Sequence, residues 1–201
     1  MFDIIKVITE KWGTLTELDS FKANGMPDYM QGTAFNYIYI MSEKETVEKI
    51  LRKNKIILSE ELIDFYREYN GVKLFLSGFS LYGFPIKRNT YNPYDFCVEN
   101  MRIHIEMVNN NCDKPEWIFF GSYAGLYVFA YDRLSVKQYV CVERGKSDIL
   151  LSFDSFEELV SYFVLSIITK YDENCNKLIP NEEYRDIPVL ANAMVALEEL
   201  V

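Results

Sequence analysis

The stretch Glu61-Leu-Ile-Asp-Phe-Tyr-Arg-Glu-Tyr-Asn-Gly-Val-Lys-Leu-Phe75 decides the fold class of this chain. Leu62, Phe65, Tyr66 and Tyr69 recur at helical spacing and mark one buried face of a helix. Ser59 precedes the run as an N-cap, and Glu60, Glu61 and Asp64 sit where the helix dipole favours negative charge. Asn70 and Gly71 tolerate left-handed backbone angles, so the pair is expected to end the helix in an αL-type cap. "VKLFL" then reads as a strand, and "FSLYGF", 79–84, as a second one beyond Ser77-Gly78. A helix turning directly into strands implies an α+β domain.

The pattern extends outward in both directions. Upstream, residues 2–12 carry a rough helical stripe, residues 13–36 read as irregular, and "FNYIYIM", 35–41, is β-prone. Ser42 and Glu45 match a capping box at the head of a helix with Val47, Ile50 and Leu51 on its buried side. Downstream, residues 85–93 are a polar loop and 94–109 favour a helix. Three β-type runs follow, 117–122, 126–132 and 138–144, and their spacing predicts an antiparallel meander. The small residues between the first two, Ala124 and Gly125, suit a hairpin turn; a phosphate cradle would need a helix next. "DILLSF", 148–153, adds a short strand. A helix from Ser155 follows, with Ser155 and Glu158 as a second capping box. A terminal helix is expected from about Ile187-Pro188. The whole order predicts an α+β fold with a central, mostly antiparallel sheet flanked by helices.

Composition narrows the function classes. The chain has 201 residues, 49% of them apolar and 25% charged, as in ordinary globular domains. No apolar run approaches the roughly 18 residues a membrane span requires. "MFDIIKVITEKWG" lacks the basic start and small-residue cleavage site of a secretory signal, so a cytoplasmic protein is expected. Net charge is −9, unevenly spread. Residues 1–147 hold 19 acids against 18 Lys/Arg, whereas residues 148–201 hold 11 against 3, a net −8. Such a surface repels nucleic acid and steers basic partners, although an acidic helix also simply keeps a protein in solution.

Catalytic chemistry finds little footing. Cys97, Cys112, Cys141 and Cys175 have no C-x-x-C spacing and read as reduced thiols. The single histidine, His104, has no partner at any motif spacing. Nucleophile-elbow, P-loop, dinucleotide-binding and metalloprotease signatures are all missing. Adjacent acids such as Glu60-Glu61 and Glu157-Glu158 occupy helix starts, where dipole and capping effects account for them. A hydrolase assembled from two distant carboxylates stays open at this level. The sequence predicts no catalytic, cofactor-binding or metal-binding residue.

The order of these motifs resembles the SUKH superfamily, the Smi/Knr-like domains. "ILSEELIDFYREYNGVKLF" resembles the family's helix leading into a near-terminal Asn-Gly, with Leu58, Leu62, Phe65, Tyr66, Asn70 and Gly71 in matching places. "WIFFGSYAGLYVFAYD" resembles its strand, Gly, turn, strand and Asp, with Gly121, Phe129 and Asp132 matching, and "SFDSFEELVSYFV" resembles its closing helix. The chain departs from the pattern at Ser59, where the family usually carries Pro beside the preceding Leu, and at Ala124-Gly125-Leu126, which replaces a Gly-Asp. The resemblance covers residues 42–168, and the chain is expected to divide into a Smi/Knr-like domain, 42–170, an N-terminal extension packing on it, 1–41, and an acidic C-terminal extension with a terminal helix, 171–201. It implies no enzymatic activity and no cofactor. It also implies a protein-binding role: an immunity protein that neutralises a cognate toxin, often a nuclease, or a regulatory scaffold of the cell-wall-regulator type that recruits a partner. The expected partner is that toxin or another basic protein, with no direct nucleic acid and no membrane. Expected contacts are Tyr123, Tyr131 and Asp132 at a sheet edge or turn, with Glu182, Glu183 and Asp186 in the acidic extension. Asn70, Gly71 and Gly121 are expected to be structural.

Overall fold

The structure, a computed structural model, describes residues 13–16, 20–23, 37–40, 45–75, 78–83, 114, 116–168, 170 and 178. Strands β1 (Gly13–Thr16) and β2 (Ser20–Ala23) form an antiparallel hairpin, where the sequence reads as irregular. A seven-stranded sheet then runs in chain order: β3 (Tyr37–Ile40), β4 (Tyr69–Leu74), β5 (Phe79–Leu81), β6 (Trp117–Tyr123), β7 (Tyr127–Asp132), β8 (Tyr139–Glu143) and β9 (Ile149–Phe153). Every neighbouring pair is antiparallel. Helices α1 (Glu45–Asn54) and α2 (Glu60–Glu68) lie between β3 and β4, and α3 (Phe156–Ile168) follows β9. The fold is therefore α+β with an antiparallel sheet, and the three-strand meander over 117–144 and the short strand at 148–153 match the sequence reading. Strand β3, from the 1–41 segment, forms one edge of this sheet by pairing with β4. The expected helices over 2–12, 94–109 and from 187, and the capping box at Ser42, lie outside the described residues.

The three helices bury their apolar stripes on one face of the sheet. Val47 and Leu51 from α1, Leu62, Phe65 and Tyr66 from α2, and Phe156, Leu159 and Phe163 from α3 join Phe120, Phe129, Tyr139 and Cys141 in one cluster. Side chains alternate along a strand, so Val128 and Ala130 of β7 and Val140 and Val142 of β8 turn the other way. With Trp117 and Phe119 they form a second buried cluster. Aromatic pairs lock the first cluster: Phe129 and Phe163 stand 4.6 Å apart and Tyr123 and Phe163 5.0 Å. These offset and tilted arrangements add to the area buried. The Tyr66 hydroxyl, fully buried, donates to the Tyr82 carbonyl at 2.7 Å and ties α2 to the chain just past β5. Burial holds that phenol well above its ordinary pKa, so it stays a donor.

The Asn70-Gly71 pair works differently from the expected αL cap. Helix α2 ends at Tyr69, which is extended (φ −127°, ψ 135°) and donates its N–H to the Phe65 carbonyl. Strand β4 has already begun there. Ile38 pairs with Val72 and Ile40 with Tyr69, so Asn70 and Gly71 together stand opposite the single residue Tyr39. The pair is a β-bulge, and Gly71 carries its positive φ of 109°. A Cβ there would lie 3.0 Å from both the Gly83 nitrogen and the Leu81 carbonyl. A bulge and a helix cap select the same residue types, since both need a left-handed angle. The true left-handed cap belongs to α1: Lys55 has φ 54°, its N–H reaches the Arg52 carbonyl, and the Ile56 N–H reaches the Leu51 carbonyl. That is a Schellman closure with lysine where glycine is usual.

Gly121 sits in a second bulge. Phe119 pairs with Ala130 and Gly121 with Phe129, leaving Phe120 as the extra residue of β6. A Cβ on Gly121 would stand 2.6 Å from the Ser80 carbonyl and 2.8 Å from the Phe129 ring. Between β6 and β7, Ala124 (φ 50°) and Gly125 (φ 71°) are both left-handed, and the Leu126 N–H donates to the Tyr123 carbonyl at 3.2 Å. This is the pattern of a type I′ turn, whose twist matches the strands it joins.

Two stability predictions follow from these backbone angles. Gly71→Ala should lower unfolding free energy by about 2 kcal/mol or more, from left-handed strain plus the collision with Gly83. An unchanged urea midpoint would show that the bulge tolerates a side chain. Ala124→Asn should raise stability by about 0.5–1 kcal/mol, because asparagine enters the left-handed region at lower cost. A fall in melting temperature would show that the turn is not of this type.

Candidate protein-binding surface

The described residues converge on a polar junction where α2, α3 and β8 meet. Ser59 caps α2 by accepting the Leu62 N–H at 3.2 Å. Its Oγ also lies 2.5 Å from the Tyr139 hydroxyl, in a hydrogen bond with the first residue of β8. Two residues on, the Glu61 carboxylate accepts the Phe156 N–H at 2.6 Å. That amide is one of the donors left unpaired at the start of α3, so the first turn of one helix caps another 95 residues away. Ser155 accepts the Glu158 N–H at 3.0 Å, as a capping box requires. The Glu158 carboxylate reaches back one residue further than expected, to the Asp154 N–H at 2.9 Å. Around the junction, the Phe156 ring meets Phe65 at 5.4 Å, Phe120 at 5.8 Å and Tyr139 at 6.0 Å. Burial pushes the Tyr139 phenol far up, with the Glu61 charge adding to the effect and the Ser59 bond opposing it. Tyr139 is thus a neutral structural phenol.

Of the two placements expected for Tyr123, Tyr131 and Asp132, edge or turn, the structure has the second: Tyr123 flanks the β6–β7 turn, and Asp132, next to Tyr131, flanks the β7–β8 turn. None lies on a sheet edge: β6 pairs with β5 and β7, and β7 with β6 and β8. The described edges are β3 and β9. Tyr123 closes β6 at its turn with 0% exposure, and its hydroxyl accepts from Lys170 Nζ at 3.1 Å. Tyr131 is 7% exposed and stacks beside Tyr139 at 5.7 Å. Asp132 is 9% exposed and braces the next turn: Oδ1 accepts the Leu134 N–H at 2.9 Å, and its own N–H donates to the Gln138 carbonyl at 2.7 Å. What reaches solvent is the turn that Asp132 holds. Leu134 is 81% and Val136 94% exposed, flanked by exposed Arg133 and Lys137. Beyond Asp132, the residues of this turn carry no expectation in the sequence, where Leu134 and Val136 read as core by default. Glu182, Glu183 and Asp186 lie outside the described residues.

Among the described residues, no group of three or more His, Cys, Asp or Glu could hold a metal ion. Burial pushes the Cys141 thiol up to about 12, so it is a protonated core side chain at neutral pH and not a thiolate nucleophile. Arg67 joins Glu48 of α1 at 3.0 Å and Asp64 at 2.6 Å, but these partly exposed pairs contribute little. No helix among the described residues is long and apolar enough to cross a membrane.

The junction carries its own test. Glu61→Ala leaves the Phe156 N–H uncapped and should cost about 1–2 kcal/mol in urea unfolding. A midpoint equal to that of the unsubstituted chain would mean that water replaces the carboxylate at no loss.

Comparison with protein-family models gives one match: the SMI1 / KNR4 family (SUKH-1), over residues 42–161. No curated protein and no solved structure matches. The matched span covers more than half of the chain, from just before α1 into α3, and the chain belongs to this family.

Proposed function

We propose that this member of the SMI1 / KNR4 family is a non-enzymatic protein-binding domain, working in the cytoplasm as an immunity protein that binds and neutralises a cognate toxin. The observation that carries the reading is the family match over 42–161, which spans α1, α2 and β4–β9. One feature supports it. The excess negative charge of residues 148–201 suits attraction of a basic partner such as a nuclease. In this reading Glu182, Glu183 and Asp186 steer the encounter, while Tyr123, Tyr131 and Asp132 act from within the sheet by holding the turns at its two ends.

The test is affinity capture at low salt from the native host with the full chain as bait. A stoichiometric basic partner whose toxic activity is lost on binding establishes the immunity role. A partner that keeps its activity when bound moves the protein to the regulatory, scaffold type. With the partner in hand, neutralising Glu182, Glu183 and Asp186 to their amides should slow association about tenfold at low salt, and the difference should vanish at high salt. Salt-independent association would sink the steering part of the proposal.

A further inference from the structure

The turn between β7 and β8 has a combination of features that its structural role does not require. Leu134 and Val136 are the two most exposed large hydrophobic side chains among the described residues. They stand two positions apart on one turn, and a single exposed apolar residue would need no explanation. The turn is braced: Asp132 closes its base through the Gln138 carbonyl and accepts the Leu134 N–H with a buried carboxylate. Preorganisation of this kind lowers the ordering cost of binding. Its charge also runs against the molecule. Arg133 and Lys137 bracket the two aliphatic residues on a chain of net charge −9. Among the described residues, Lys137 pairs only with exposed Asp154, at 3.8 Å, and no ion pair involves Arg133.

We propose that this turn is a docking knob that inserts Leu134 and Val136 into an apolar groove rimmed by carboxylates on a partner protein. The aliphatic pair supplies the desolvated centre of the contact, and the two cations supply register and specificity against the acidic rim. The inference rests on the protein-binding reading above but on neither the toxin's identity nor the sign of its net charge. A partner that is basic overall can carry acids around one groove.

The experiment is site-specific photo-crosslinking of the full chain in its native host, with a benzophenone amino acid placed at position 134, 136 or, as a control, at exposed Leu150 of β9. The expected result is one crosslinked protein from positions 134 and 136 and none from 150. The captured peptide should carry Asp or Glu beside apolar residues. Replacing Arg133 and Lys137 by Ser should reduce the product about tenfold, as loss of two favourable charge contacts would. These side chains are exposed, so each variant should melt with the unsubstituted chain. Absence of product at 134 and 136, equal product from 150, or a captured surface without acids overturns the proposal. Failure of the immunity reading looks different: the knob captures a partner that keeps its activity.

Discussion

The hydrogen bond from the Phe156 N–H to the Glu61 carboxylate is the contact on which the arrangement of this domain turns. It joins the first turns of α2 and α3, two helices that have no short connection between them. The same turn of α2 holds β8 through Ser59 and Tyr139. Phe156, fixed by its own backbone, then places its ring among Phe65, Phe120 and Tyr139. A polar bond at the edge of an aromatic cluster sets direction, and the cluster supplies most of the free energy by removing rings from water. Without the carboxylate, the start of α3 would bury an unsatisfied donor beside that cluster.

Much of this was legible in the residues. The strands of the meander announce themselves through β-branched and aromatic runs, and the turns through Gly125 and Gly145. Ser59 and Ser155 are readable caps because a cap is a local device. What the chain conceals is set by distance or by ambiguity. The Glu61 contact spans 95 residues and leaves no spacing to detect. Asn70-Gly71 announces a left-handed angle but not whether a helix end or a bulge consumes it. Tyr123 and Tyr131 are ordinary strand residues; β7 is central within the meander itself, but whether β6 is central or an edge depends on β5 pairing with it. The exposed Leu134 and Val136 were illegible for the opposite reason. Apolar residues are read as core by default, and only their exposure separates a knob from a buried side chain.

Both faces of the sheet are buried around β6–β8, yet their chemistry differs. The helix side is ring against ring, whereas the other side is mainly valine and alanine with Trp117 and Phe119 at one end. A sheet fixed in this way is a rigid base, and rigid strands let their connecting turns carry recognition while the framework stays constant. The braced turn after Asp132 is an instance: among the described residues, the Asp132 carboxylate and one backbone bond brace it, so its other side chains vary at little structural expense.

Strand order equal to chain order has a consequence for how the domain is made. Each strand pairs with the one synthesised before it, so β6 to β9 can zip together by successive short loop closures, which is kinetically cheap. The helix side of that sheet receives its last cover only with α3. During synthesis, Phe120, Phe129 and Tyr139 therefore stay partly open until residues 156–168 leave the ribosome, although α1 and α2 are already in place. That interval, set by topology and not by final stability, is when a nascent chain of this fold most needs protection from aggregation.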